Sequence, residues 1–86
     1  MDLVAACRAF VAVGGHGSFT VGAAAARIPQ SVASRRVAAL ERHLGASLFE
    51  RNSRSVTLTP FGREMLPSAQ RLVDLAEAME YDAERA

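Results

Sequence analysis

Gln30, Ser31, Ser34 and Arg35 fall within six consecutive residues, and each carries a side chain able to read the edge of a nucleic-acid base. Gln can pair bidentately with adenine, Arg with guanine, and Ser with several bases. On a helix turning about 100° per residue, Ser31, Arg35, Ala38 and Arg42 share one face, flanked by Val32 and Ser34. Arg36 adds a further cation. No acid occupies the first two turns of this face, and small Ala38 lets such a helix sit deep in a major groove. Farther on, Asn52-Ser53-Arg54 has turn composition, and an arginine near the tip of a turn suits a narrow minor groove, whose negative potential draws a guanidinium.

The other reactive residue types do not form constellations. Cys7 lies on an apolar helical face, as a small core residue would. A single cysteine can form neither a disulfide nor a Cys-based metal cluster within the chain. His16 lies in a glycine turn and His43 near a helix end, with no Cys or carboxylate cluster close to either in sequence. His43 better suits the negative end of a helix. Ser18 and Ser34 have no His/Asp arrangement readable from spacing. No catalytic residue, metal or cofactor is therefore expected.

The elements that position the base-reading face can be outlined from periodicity. Leu3, Val4, Cys7, Phe10, Val11 and Gly14 lie on one helical face over residues 2–14, and Gly14, Gly15 and Gly17 are expected to end that helix. Ser18 is a good N-cap for a short second helix of mostly small side chains, running to about Arg27, which another helix can approach closely. Pro29 breaks it. The third helix starts at Pro29 or Gln30 and runs to Leu44, with Ala33, Val37, Leu40 and Leu44 as its apolar stripe, Glu41 toward that side, and Gly45 as C-cap. Residues 47–51 and 55–58 read as two short strands of a hairpin, the second turning Val56 and Leu58 inward.

Thr59-Pro60 opens the last helix, since Thr is a good N-cap and Pro is preferred at the first helical position. Met65, Ala69, Leu72, Ala76, Met79 and Ala83 recur at 4-3-4-3-4 spacing, widened by Leu66, Val73 and Leu75. A helix of about 25 residues is ~38 Å long, more than three short helices and a hairpin can cover. Its far half calls for an intermolecular partner. The expected interface with that partner is Met65, Leu66, Ala69, Leu72, Val73, Ala76 and Met79. Pro67 is expected to bend this helix or loosen its first two turns. Helix, glycine turn, short helix, break, reading helix and hairpin make a mainly α fold, a winged helix-turn-helix at residues 1–58. A linker and dimerisation helix at 59–86 follows.

Charge agrees once it is split by position. The 86 residues carry a formal net charge of +1, which by itself argues against a nucleic-acid partner. All ten basic residues are arginine. Through Arg63, eight arginines face three acids, a balance of +5; from Glu64 on, two face six, a balance of −4. A basic body and an acidic tail point to nucleic acid or a membrane surface. No basic leader precedes an apolar run, and no run approaches the roughly 18 residues of a membrane span. One free thiol fits a reducing compartment. A cytoplasmic location is the expectation. The acidic face Asp74, Glu77, Glu80, Asp82 and Glu84 reads as solvated, and as repelling DNA. The competing readings are a helical protein-interaction adaptor using that acidic heptad helix, and a small enzyme. The enzyme is disfavoured because a core this size leaves no room for a deep cavity.

The string Gly17-Ser18-Phe19-Thr20, Ala23-Ala24, Gln30-Ser31, Ser34 through Glu41, Leu44-Gly45, Leu48-Phe49, Arg51, Arg54, Leu58-Thr59 and Gly62 resembles the N-terminal DNA-binding region of LysR-type transcriptional regulators. The likeness spans the chain from about Leu3 to its end. It implies double-stranded DNA binding at an interrupted inverted repeat by a homodimer paired through the last helix. It also implies a large effector domain with a small-molecule ligand, both absent from this chain. Residue by residue, it implies base and backbone reading by Gln30, Ser31, Ser34 and Arg35, a phosphate contact by Thr20, and a wing-base role for Arg51. Arg54 would be the wing arginine entering the minor groove. The departures are Pro29 in place of Ser or Thr, Val32-Ala33 in reversed order, Ala26 and Cys7 in place of Leu, and Phe61 in place of Ala. Phe61 is expected to fill the space left by Ala26 or Cys7.

Overall fold

The structure, a computed structural model, describes residues 1–52 and 55–86. Four helices and one hairpin follow in order: α1 (Leu3–His16), α2 (Phe19–Ala25), α3 (Gln30–Leu44), β1 (Phe49–Arg51), β2 (Val56–Leu58) and α4 (Pro60–Arg85). The fold is the mainly α winged helix-turn-helix with a long final helix, 47 × 24 × 20 Å in extent. No helix among the described residues is long and apolar enough to cross a membrane.

Local chemistry sets the helix ends. Asp2 caps α1 by accepting from the Ala5 N–H (3.1 Å), and Ser18 caps α2 by accepting from the Val21 N–H (3.1 Å). Thr59 caps α4 by accepting from the Gly62 N–H (2.9 Å), with Pro60 at the first helical position. Gly17 and Gly45 close α1 and α3 in the left-handed conformation, at φ 64° and 90°. Pro29 stands at the N-cap of α3 and offers no side-chain hydrogen bond there. Its carbonyl accepts from the Val32 and Ala33 N–H groups instead (3.0 and 3.1 Å).

Several boundaries differ from the sequence expectation. Gly14 and Gly15 do not end α1; they lie inside its last turn. A Cβ on Gly14 would stand 3.4 Å from a Leu66 methyl, so this position is a contact surface for α4. The short helix α2 stops at Ala25, and Arg27 takes a positive φ of 58° before Pro29. Strand β1 begins at Phe49, two residues after the expected start, because the Leu48 N–H donates to Glu41 rather than across to Thr59, which stands opposite it in register. Pro67 lies within α4, which continues past it to Arg85. Phe61 is half-buried, and it lines neither the groove beside Ala26 nor the one beside Cys7. The space those two small residues leave stays open.

Helix α1 is the hub. It buries Ala6, Cys7, Ala9, Phe10 and Val13. It packs against α2, α3 and α4. Gly22 of α2 rests directly on it: a Cβ there would lie 2.7 Å from Val13 Cα. The predicted stripe of α3 contributes buried Ala33, Val37 and Leu40, while Leu44 at its end stays 39% exposed. Phe49 seals the centre, edge-on to both Phe10 (5.5 Å) and Phe19 (5.8 Å). Helix α4 runs antiparallel to α1. Leu66 meets Gly14 at one end, and Arg8 reaches Glu77 (3.1 Å) and Glu80 (3.0 Å) at the other.

The hairpin is tied down at its root. Phe49, Glu50 and Arg51 pair antiparallel with Leu58, Thr57 and Val56, with Val56 and Leu58 turned inward as alternation predicts. The Leu48 N–H donates to Glu41 Oε2 (2.8 Å), and Glu41 Oε1 accepts from Arg51 (3.1 Å). The Leu48 carbonyl accepts from the Thr59 N–H (3.0 Å), and the Thr59 hydroxyl donates to the Ser47 carbonyl (2.6 Å). Helix α3, the wing and α4 are thus joined within a few residues.

Two substitutions test this joint. Helix propensity alone makes Gly→Ala favourable by ~1 kcal/mol. At Gly62, however, a Cβ would run into the Leu48 carbonyl oxygen. Overpacking costs ~1–3 kcal/mol, so Gly62→Ala should lower stability in urea unfolding. A gain would mean that α4 shifts freely away from the wing root. Glu41→Ala leaves the part-buried Leu48 N–H without its partner and should cost ~1–3 kcal/mol. An unchanged unfolding midpoint would show that water replaces the carboxylate at no cost.

Candidate nucleic-acid interface

The residues expected to read bases lie on the first half of α3. Gln30, Ser31 and Arg35 are exposed, and Ser34 is half-buried beside them. The capping of α2 by Ser18 and the turn through Arg27 and Pro29 bring Thr20 next to Gln30. The Thr20 hydroxyl donates to Gln30 Oε1 (3.0 Å). That bond uses one of the two lone pairs of the Gln30 oxygen and leaves its NH2 group as the donor that an adenine or guanine N7 acceptor requires. A polar cleft of about 210 Å³ runs from Ser18, Thr20 and Gln30 to Asn52 and Ser55 of the hairpin. The start of α2, the start of α3 and the wing thus share one surface.

Arg51 is only partly available to that surface. Its guanidinium holds Glu41 (3.1 Å) and lies 4.9 Å above the Phe19 ring, while its side chain keeps 40% exposure. A guanidinium has five donors, so the pair with Glu41 leaves others facing solvent. Glu41 and Phe19 are positioning residues that sequence reading did not assign. The available signal was an acid turned toward the apolar stripe of a helix. Arg54 lies outside the described residues.

Arg36 is half-buried and Arg42 exposed, and together with Arg35 they line a cleft against the first turn of α1. Four other arginines are occupied elsewhere. Arg8 binds two acids of α4, Arg63 donates to the Leu58 carbonyl (3.0 Å), and Arg71 to the Ser68 hydroxyl (3.0 Å). Arg85 lies over the Tyr81 ring (5.3 Å). The acidic face of α4 is therefore not wholly solvated, because Glu77 and Glu80 anchor Arg8.

The heptad seam of α4 divides in two. Ala69 and Val73 are buried in the chain's own core, and Met65, Leu66 and Leu72 pack against it. Ala76 is half-buried, while Met79 is 68% exposed. Leu75, at 71% exposure, extends the apolar surface of the far half, while Tyr81 lies on the opposite side of the helix under Arg85. Near α1, Leu3, Leu44, Met65 and Leu72 border a shallow apolar groove with Cys7 in its lining. Burial pushes the pKa of the Cys7 thiol up, holding it in the neutral, unreactive form.

Comparison with known proteins agrees with this architecture. A family model described as "Bacterial regulatory helix-turn-helix protein, lysR family" matches residues 4–63. The chain is 65% identical over 86 residues to the HTH-type transcriptional regulator BlaA of Streptomyces cacaoi, covering all of this chain and 26% of that protein. Among solved structures, oxidized OxyR of Corynebacterium glutamicum superposes with a TM-score of 0.90 at 36% identity, covering 94% of this chain and 25% of the other. The BenM DNA-binding domain in complex with catB site 1 DNA superposes at 0.86 and 38% identity, covering 99% and 93%. The chain thus spans about a quarter of the length of the full regulators it matches. The matched segment runs from α1 through the hairpin into α4, and this chain belongs to the LysR family of bacterial helix-turn-helix regulators.

Proposed function

We propose that this chain binds double-stranded DNA sequence-specifically, as the reading module of a transcription regulator, at an interrupted inverted repeat. The observation that carries this reading is the alignment of Gln30, Ser31, Ser34 and Arg35 on the exposed start of α3, with Thr20 bonded to Gln30. In it, α3 enters the major groove and Thr20 meets a phosphate. Arg51 supports the wing and keeps its spare donors for the backbone, and Arg54 reaches the minor groove. The DNA complex of the BenM domain supports this use of the surface. The chemistry is recognition rather than catalysis, carried out in the cytoplasm. Residues 1–58 read DNA and 59–86 link and dimerise. An effector domain with its small-molecule ligand would lie in the remaining three quarters of such a regulator.

Dimerisation is proposed through α4, two copies meeting across Ala76, Met79 and the outer edges of Leu72 and Met65. Ala69, Val73 and Leu66 hold α4 to α1 behind that surface. Exposed Leu75 and Met79 supply apolar area on this face that one chain leaves uncovered.

Affinity for a duplex should fall steeply with salt, at a slope of ~0.9 per phosphate neutralised on a double-logarithmic plot. Arg35→Ala should weaken discrimination at one base position by ~1–3 kcal/mol. Absence of salt-dependent DNA binding would leave the protein-interaction adaptor as the reading. Leu75→Glu combined with Met79→Glu should give folded monomers in sedimentation, because both positions are exposed within the chain. A persistent dimer would move the interface off this face.

A further inference from the structure

We propose that the cleft between the first turn of α1 and the middle of α3 seats one phosphodiester of the bound duplex, beyond the bases that α3 reads. The proposal rests on the DNA-binding reading and assigns it a specific backbone contact. The cleft has a volume of about 370 Å³, and Arg35, Arg36 and Arg42 all line it. Ala5, Ala38 and Ala39 also line it, where longer side chains would occupy the space.

Charge singles this cleft out. Among the described residues, none of the three arginines makes an ion pair or a side-chain hydrogen bond, whereas Arg8, Arg51, Arg63 and Arg71 all do. One acid, Asp2, shares the cleft, and its carboxylate already accepts from the Ala5 N–H (3.1 Å). Even with Arg35 given to the base edges, Arg36 and Arg42 against one committed carboxylate leave a surplus of positive charge around an open space. A phosphodiester oxygen pair matches the planar donor fork of arginine.

Distance along α3 separates this contact from base reading. Arg42 lies eleven residues beyond Ser31, a rise of ~17 Å. The major groove is only ~8.5 Å deep. A helix inclined to the groove, with only its first turns on the base edges, would hold Arg42 level with the sugar-phosphate wall. The first turn of α1 closes the same cleft from the other side, so the strand would be gripped between two helices.

The test compares the wild-type chain with Arg42→Gln, Arg42→Lys and Ala39→Glu, by fluorescence anisotropy on a duplex selected from a random pool and across a salt series. Arg42→Gln should lower the salt slope by about 1 and leave the preferred base at every position unchanged. Arg42→Lys should restore the slope. Ala39→Glu, which puts a carboxylate into the cleft, should weaken binding at least tenfold at low salt. Replacing single phosphates by neutral methylphosphonates should reveal one position that costs the wild type affinity and costs Arg42→Gln nothing further. If the wild type binds with a steep salt slope but Arg42→Gln keeps that slope, or shifts a base preference, the phosphate seat is wrong and DNA binding stands. If the wild type shows no salt-dependent binding, both readings fall.

Discussion

Phe49 stands edge-on between Phe10 and Phe19, and this three-ring contact is the junction through which the small domain acquires a defined shape. Phe10 belongs to α1, Phe19 opens α2, and Phe49 begins the wing. With so few aromatics in the chain, one such contact must serve several interfaces at once. Edge-to-face pairs contribute ~0.5–1.5 kcal/mol each beyond the burial of their area. Glu41 works beside them, tying the chain at Leu48 to α3 on one side and Arg51 on the other. The root of the wing is therefore tied to α3 rather than standing as a separate hairpin.

The rest of the packing depends on smallness. Alanine and glycine line the contacts of α1 with α2 and α4, so helix backbones approach closely and a thin core suffices. The same economy leaves open grooves beside Ala26 and Cys7. It also leaves the far half of α4 with little to lie on. There the contact with α1 changes from burial to charge, with Arg8 dividing its guanidinium between Glu77 and Glu80. These acids are more than half exposed, so the pair orients α4 more than it stabilises the fold.

Local chemistry made much of this legible in the sequence. Ser18, Gly45 and Thr59-Pro60 signalled helix ends that the structure places there, and the stripe of α3 and the inward turn of Val56 and Leu58 followed from periodicity. What escaped was non-local. Gly14 and Gly15 look like terminators, yet Gly14 stays helical against Leu66, a residue more than fifty positions away. Strand β1 starts late because the Leu48 N–H goes to the side chain of Glu41 on α3 instead of across the hairpin. Arg8 lies about seventy positions from the acids it holds, and no local pattern marks it as an intramolecular anchor. The candidate base readers were legible because they are contiguous on one helix. The bond between Thr20 and Gln30, which aims one of them, was not.

The double grip of Arg8 on α4 has a mechanical meaning. The residues beyond Glu80 project past the last anchored point, and α1 is the fulcrum on which they bear. Because α1 also carries α3 on its flank, α3 and the anchored part of α4 share one support, while the last residues of α4 have none among the described residues.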